Sequence, residues 1–190
     1  MRVLGISGTP RPGGNTEVLL DAALEPFRAA DWTVDRVLLS QIEIHPCTGC
    51  DGCQDGSGCQ LPLDGMERVY QAMRTCDAIL VATPVYWRNV TAQLKALFDR
   101  SYALRDEHPL RGKPGCAIAV GRGSGGGQSI ALTIVHTYFL SAGAVCVPGE
   151  LNGVSAVADR PGEITNQPNR LEQARILGRH VMAFAGKGFL

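Results

Sequence analysis

The sequence predicts an α/β domain in which helices cover both faces of a five-stranded parallel sheet. Short apolar runs alternate with segments of helical length along the chain, which is the pattern of such domains. The apolar run at residues 77–82 is of the kind expected of a strand buried on both faces. A length of 190 residues is enough for one shared core, so residues 1–190 are expected to form a single domain.

The first half of the chain contains three predicted strands, at residues 2–6, 33–38 and 77–82. A helix is expected at residues 15–30, where Asn15 or Thr16 supplies a capping oxygen and Glu17 complements the helix dipole. Residues 64–74 form the second predicted helix. Residues 41–63 carry six glycines and prolines together with four cysteines, which predicts an irregular, cysteine-rich loop after the second strand.

The second half continues the alternation. Two strands are predicted, at residues 116–120 and 144–148, and a glycine-rich loop at residues 121–127. The predicted helices lie at residues 91–104, 128–142 and 170–184. Proline and glycine in residues 152–169 indicate a connecting segment without regular structure.

Charge and composition exclude several classes of partner. Lys plus Arg and Asp plus Glu both number 18, so no overall field attracts nucleic acid or an acidic membrane. The apolar run at the N-terminus is shorter than that of a signal peptide, and no run is long enough for a spanning helix. We therefore expect a cytoplasmic protein that binds neither nucleic acid nor membranes.

The run from Ser7 to Thr16 joins a predicted strand to a predicted helix, where free N–H groups and the helix dipole bind anions. The hydroxyls of Ser7, Thr9 and Thr16 and the charge of Arg11 add donors. The run lacks both the Walker ending and the dinucleotide fingerprint, so a monophosphate fits it best. The alternative is a turn that uses small residues only to change direction.

Two further loops should converge with this run, because ligands of open α/β sheets bind at the carboxyl ends of the strands. Adjacent aromatic residues, Tyr86 and Trp87, follow the third strand, and the glycines of residues 121–127 follow the fourth. Missing side chains let backbone approach a flat ligand. The alternatives are interface or core aromatics and a flexible glycine lid, but three such loops at three strand ends favour a binding site.

These stretches together resemble the NADPH-dependent FMN reductase family of the flavodoxin-like fold, and specifically its iron-sulfur flavoprotein branch. The matching segments are residues 5–16, 83–87 with 92–100, and 125–128. The resemblance implies a doubly wound sheet of strand order 2-1-3-4-5. It also implies homodimers or homotetramers, FMN as the cofactor and NAD(P)H as a candidate electron donor.

The resemblance further assigns the cofactor-binding residues. The FMN phosphate would be held by Ser7, Thr9, Arg11, Asn15 and Thr16. The isoalloxazine ring would be bordered by Pro84, Val85, Tyr86 and Trp87 on one side and, on the other, by the glycine-rich loop with Gly121, Gly123 and Gly126.

Four of the seven cysteines, Cys47, Cys50, Cys53 and Cys59, lie within thirteen residues. Two-residue gaps let a chain wrap closely around a 4Fe-4S cluster, whereas zinc sites more often pair two distant Cys-x-x-Cys knuckles. The resemblance implies the same cluster on these four thiolates. The alternative is a loop of thiols without metal. The isolated cysteines, Cys76, Cys116 and Cys146, are expected to be small buried hydrophobes.

The function predicted from these features is a flavin-dependent oxidoreductase, with no catalytic acid or base required because the flavin supplies the chemistry. Electrons would pass between a reduced small-molecule or protein carrier and a small acceptor through FMN and the cluster. The first alternative is a cluster-free NAD(P)H-dependent FMN or quinone reductase. The second is a non-catalytic flavin-binding carrier or sensor. A hydrolase is disfavoured because no Ser, His and carboxylate set stands out.

Overall fold

A parallel sheet forms the centre of the computed structural model, which describes residues 1–149 and 151–187. Within those residues the sheet has six strands: β1 Arg2–Ser7, β2 Thr33–Leu38, β3 Ala78–Pro84, β4 Pro114–Gly121, β5 Val145–Cys146 and β6 Val154–Val157. The order β2-β1-β3-β4-β5 is the one predicted, and every pairing is parallel. The carboxyl ends of β1, β3 and β4 therefore meet at one edge of the sheet.

Helices cover both faces of the sheet. The α-helices found in the described residues are α1 Asn15–Ala29, α2 Met66–Thr75, α3 Ala92–Arg100, α4 Gln128–Ser141 and α5 Pro168–Ala185. Successive side chains of a strand point to opposite faces, so Leu80 of β3 packs in the core under α1 and α5. Its neighbours Ile79 and Val81 pack in the second core, under α2, α3 and α4.

The outer strand next to β4 differs from the prediction. The strand expected at residues 144–148 contains only Val145 and Cys146, which pair with the first two residues of β4. A sixth strand, β6, pairs with the last four residues of β4, although residues 152–169 were expected to be irregular. Just before β6, Gly153 has φ +137°, and a Cβ there would lie 2.4 Å from the Ala117 carbonyl oxygen. A four-residue strand entered through such a glycine has too little periodicity to be recognised.

The helix boundaries differ from the prediction at α3 and α2. The helix expected at residues 91–104 is capped by Thr91, which accepts a hydrogen bond from Leu94 N at 3.2 Å, and it ends at Arg100. Residues Ser101–Leu104 continue it as a 3-10 helix. Asp64, expected inside α2, instead precedes the helix and accepts from Met66 N at 2.9 Å.

None of the helices in the described ranges 1–149 and 151–187 combines the length and the apolar character needed to cross a membrane.

Candidate functional site

The run after β1 forms the first wall of a cleft at the carboxyl edge of the sheet. Gly14 precedes α1 and has no side chain to cap it, so the first N–H groups of the helix have no intrahelical acceptor. Gly13 has φ +64°, a conformation that side chains rarely adopt. The result is an uncapped, dipole-positive helix end that faces the loop and fits an anion.

Ser7, the residue that begins this run, has a hydroxyl that is unpaired within the described part of the chain. It is fully buried at the end of β1, and its Oγ has no hydrogen-bond partner among the residues the structure describes. Buried hydroxyls are almost always paired, because an unmade hydrogen bond costs about 1–3 kcal/mol. Thr9 and Thr16 are also buried here, and Thr9 Oγ1 accepts from Arg11 N at 3.2 Å. These residues therefore fit a phosphate group.

The cleft itself has a volume of about 250 Å³. Its lining includes seven of the residues predicted for FMN: Thr9, Arg11, Asn15, Thr16, Pro84, Val85 and Tyr86. Other predicted residues, Ser7, Trp87, Gly121, Gly123 and Gly126, lie outside that lining. The topology thus brings the loops after β1 and β3 to one place, as expected.

Trp87 lies at the tip of a tight hairpin. Tyr86 and Asn89 exchange both backbone hydrogen bonds at 2.9 Å, and the two residues between them, Trp87 and Arg88, have φ of 48° and 62°. This is the backbone of a type I′ turn, which normally uses Asn and Gly. Trp87 is fully exposed. The hairpin holds Tyr86 at the cleft and directs Trp87 to solvent, on a backbone that is strained at two positions.

The glycine-rich loop packs against this hairpin. A Cβ at Gly127 would lie 2.5 Å from Val85 Cγ1 and 3.3 Å from Arg88 Cα, so only glycine allows the observed approach. Gly123 O accepts a hydrogen bond from Gln128 Nε2 at 2.9 Å. The loop after β4 thereby supports the wall formed by the loop after β3.

A third wall was not predicted. It follows β6 and consists of Ala158, Asp159 and Pro161, and Asp159 pairs with Arg122 of the glycine-rich loop. Asn15 holds this segment: its amide donates to Arg160 O at 2.8 Å, and its carbonyl accepts from Ile164 N at 3.2 Å. Because β6 has no clear sequence signal, nothing indicated that the residues after it return to the cleft.

Glu17 has a more specific role than dipole complementation. Its buried carboxylate accepts hydrogen bonds from Gly13 N and from Ser40 Oγ, both at 2.8 Å. Ser40 follows β2, directly before the cysteine-rich loop. The carboxylate therefore ties the run from Ser7 to Thr16, the predicted phosphate loop, to the start of the cysteine-rich loop.

The four clustered cysteines, Cys47, Cys50, Cys53 and Cys59, line one smaller pocket of about 70 Å³. All four are free thiols, and Cys47 and Cys50 are exposed. In the described parts of the chain, no three His, Cys, Asp or Glu side chains are close enough together to hold a metal ion. The structure thus places the four thiols around one pocket without bringing them into ligating geometry.

Cys59 differs chemically from the isolated cysteines. Burial raises the pKa of its thiol, but hydrogen bonds from Leu61 N–H, Arg100 and Tyr70 lower the pKa more, so it lies below the ordinary value. By contrast, burial raises the pKa of Cys76 to about 11. Cys116 is buried in the other core, where its pKa is raised further. Cys76 and Cys116 are buried as predicted, whereas Cys146 is only partly buried.

The sequence of this chain is similar to those of known proteins. Residues 1–158 match the family model described as NADPH-dependent FMN reductase. An iron-sulfur flavoprotein of Methanocaldococcus jannaschii is 37% identical over 95% of both chains. An iron-sulfur flavoprotein of Methanosarcina thermophila is 39% identical over 86% of this chain and 85% of its own.

A solved structure shares the fold. The WrbA-like flavodoxin from Agrobacterium tumefaciens superposes with a TM-score of 0.68 at 18% identity, covering 98% of each chain. The family match spans the phosphate loop, the hairpin and the glycine-rich loop, which form most of the cleft. The chain therefore belongs to the NADPH-dependent FMN reductase family, in its iron-sulfur flavoprotein branch, and is a flavin-dependent oxidoreductase.

Proposed function

We propose that this protein passes electrons between a reduced carrier and a small acceptor, using FMN in the cleft and a 4Fe-4S cluster on the cysteine-rich loop. The observation that carries the proposal is the combination, on one chain, of a helix start without a side-chain cap, which suits an anion, and a pocket lined by four thiols. A bound flavin would accept a hydride or single electrons and so connect two-electron and one-electron partners.

The chain's own contribution to FMN binding is position and charge. The buried hydroxyls of Ser7, Thr9 and Thr16 and the N–H groups at the start of α1 would hold the phosphate, with Arg11 as its cation. Asn15 would contribute indirectly, because its hydrogen bonds to Arg160 O and Ile164 N hold the segment after β6 beside the cleft.

The ring would lie against the hairpin and the glycine-rich loop. Of the residues proposed to border it, Pro84, Val85 and Tyr86 line the cleft, which supports their assignment. Trp87, Gly121, Gly123 and Gly126 would lie at its margin. Because Trp87 is exposed, we propose that a partner molecule contacts it where the edge of the flavin would lie.

The cysteine-rich loop is suited to a cluster by its donor atoms and its backbone. Thiolates are the ligands that iron-sulfur clusters use, and Cys47, Cys50, Cys53 and Cys59 share one pocket. Gly49, Gly56 and Gly58, which lie between cysteines, have positive φ, so the loop contains the backbone freedom that closing around a cluster requires.

We propose NAD(P)H or a protein carrier as the electron donor, a small molecule as the acceptor, and a homodimer or homotetramer as the assembly. The most exposed large apolar side chains in the described residues, Trp87, Leu63 and Leu151, are the ones that such an assembly would be expected to cover. Light scattering of the purified protein would measure its mass in solution, and a monomer mass would contradict this assembly.

The test is an anaerobic absorbance spectrum with iron and acid-labile sulfide assays on freshly purified protein. The proposal predicts flavin bands, a broad shoulder at shorter wavelength, and about four irons and four sulfides per chain. Replacing Cys50 by Ser should abolish the iron and leave the flavin, whereas Cys146→Ser, outside the loop, should change neither. No flavin after FMN addition would refute the proposal.

One observation favours a second candidate, a cluster-free NAD(P)H-dependent FMN or quinone reductase. Among the described residues the cysteines do not converge into a metal site. This candidate predicts flavin bands without iron even after anaerobic incubation with iron and sulfide, together with rapid bleaching of the flavin by NADH or NADPH.

A further inference from the structure

Two arginines from the end of α3 and the segment after it hold the cysteine-rich loop. Arg100, the last residue of α3, donates to His45 O at 3.3 Å and to the Asp64 carboxylate, at the two ends of the loop. Arg105 donates to the carbonyl oxygens of Cys53 and Gln54, in the middle of the loop. The loop is therefore held near both its ends by the last residue of α3 and at its centre by the segment that follows α3.

Arg100 is the arginine that reaches the thiols. Its residue is 4% exposed, and it lines the pocket around which all four cysteines lie. The pKa of the Cys59 thiol lies below its ordinary value, and the charge of Arg100 is one of the causes. The Nε of Arg100 is buried and has no hydrogen-bond partner in the residues described. A buried guanidinium in the wall of a pocket lined by four thiols places a positive charge beside them.

The other charges at this pocket make Arg100 distinctive. Asp51 and Asp99 also line it, and Arg100 is the one cation among its described lining residues. Asp99 is paired with Lys95 on the exposed side of α3. Arg100 therefore contributes the positive charge of this pocket wall, and its main counter-charge is the buried carboxylate of Asp64, whose side chain is 6% exposed.

We propose that Arg100 tunes the iron-sulfur site. Its positive charge offsets the negative charge of the cysteine thiolates and so raises the reduction potential of the cluster. This inference rests on the proposed function, because it requires a cluster on the four cysteines. Reduction adds one negative charge at the site, and a buried cation favours the more negative state because charges interact strongly in a weakly screened environment. Asp64 acts in the opposite direction.

Arg105 has a different role. Its bonds to the loop go to backbone oxygens, its guanidinium pairs with the Asp106 carboxylate at 3.3 Å, and it lies over Tyr102 at 4.7 Å from the ring centroid. Its side chain is 24% exposed, so solvent screens its charge more than that of Arg100. Arg105 therefore orders the loop without the same effect on the potential.

The experiment compares four variants after anaerobic reconstitution with iron and sulfide: Arg100→Gln, Arg100→Lys, Asp64→Asn and Arg68→Gln. Arg68 is the matched control, since the same charge is removed from the exposed face of α2, where it bonds Arg36 O. Each protein is assayed for FMN binding, iron and sulfide. The midpoint potential of the cluster is then measured by redox titration followed by electron paramagnetic resonance.

We expect Arg100→Gln to lower the ratio of reduced to oxidised cluster at a fixed potential at least tenfold, which is about 59 mV for one electron. Asp64→Asn should raise the potential. Arg100→Lys, which keeps the charge, and Arg68→Gln should both stay near the wild-type value. The opposite shifts of the Arg100 and Asp64 variants would not result from a general loosening of the loop.

The outcomes separate this inference from the proposed function. If the wild type takes up no iron, the proposed function and the role of Arg100 are both refuted. If the wild type holds a cluster and the potentials of Arg100→Gln and Asp64→Asn equal that of Arg68→Gln, only the role of Arg100 is refuted. If Arg100→Gln fails to bind FMN and so has not folded, Asp64→Asn decides: an increase in potential supports the inference, and an unchanged or lower potential overturns it.

Discussion

At the scale of single residues, the Ser7 hydroxyl is buried at the end of β1 and has no hydrogen-bond partner in the described part of the chain. If it bonds the FMN phosphate, Ser7→Ala should weaken FMN binding roughly 10- to 150-fold, because a hydrogen bond to a charged group contributes about 1.5–3 kcal/mol. The dissociation constant is measured by the change in flavin fluorescence on binding.

The same substitution should leave the FMN-free protein as stable as the wild type, or more stable, since it removes a buried hydroxyl that has no partner. Urea unfolding without FMN measures this. Ser155→Ala is the control, because Ser155 is exposed on β6 and should change neither quantity. Lower stability without FMN and unchanged FMN affinity would show that the hydroxyl has a structural partner instead.

The carboxyl group of Asp64 leads to a prediction about the stability of the folded protein at low pH. Burial raises the pKa of this carboxyl, but hydrogen bonds from His45 N, Met66 N and Arg100 lower the pKa more, so it lies below its usual range. A depressed folded-state pKa stabilises the protein above the unfolded value of about 3.9, and that contribution is lost as the pH falls through the folded pKa.

The free energy of unfolding of the iron-free wild type should therefore fall more steeply below about pH 4 than that of Asp64→Asn. Above that pH the wild type should be the more stable of the two by a constant amount. Urea unfolding across pH 2–6 measures both curves. Parallel curves would mean that Asp64 titrates alike in the folded and unfolded states.

At the scale of elements, the contact between α1 and α5 depends on one glycine. A Cβ at Gly178 of α5 would lie 2.0 Å from the Ala23 carbonyl oxygen of α1. Gly178→Ala should destabilise the protein by about 1–3 kcal/mol, because the helices must separate, even though alanine favours a helix by about 1 kcal/mol.

Gly186→Ala provides the matched control, since the nearest atom to its Cβ would be 3.7 Å away. Its free energy of unfolding should stay within about 0.5 kcal/mol of the wild type. Urea unfolding of both variants tests the contact, and equal stabilities would show that α5 can move away from α1 without loss.

The elements that the sequence predicted well are those with strong periodicity or compact motifs. The central strand β3 is a continuous apolar run, and the phosphate loop lies between a strand and a helix, so both positions followed from local residues. Strand β6 is only four residues long and depends on its pairing with β4. Because β6 has too little sequence signal to be predicted, Asp159 and Pro161, which follow it, were not predicted to line the cleft.

Trp87 shows a second limit of sequence reasoning. Its neighbours Pro84, Val85 and Tyr86 line the cleft as expected, yet Trp87 points to solvent because it occupies a left-handed backbone position. Such positions normally belong to Gly or Asn, so the sequence contains no sign of the turn. The same holds for the thiols, whose spacing predicts shared ligands but does not determine how closely they approach.

At the scale of the whole molecule, the core extends beyond the family match, which ends at residue 158. Helix α5 contributes Ala174, Leu177 and Val181 to the same core as Phe27 of α1. The segment before α5 forms the third wall of the cleft and is held by Asn15. Folding and cofactor binding should therefore both require the C-terminal residues.

A chain that ends at residue 166 is thus expected not to fold, because its α1 would expose the apolar face that α5 covers. Circular dichroism during urea unfolding should show no cooperative transition, and FMN should not bind. The milder Leu177→Ala change, at a fully buried position, should keep the fold and lower the free energy of unfolding by about 2–5 kcal/mol. A shortened chain that unfolds cooperatively and binds FMN would show that residues 1–166 form a sufficient core, and that α5 only supports a site completed without it.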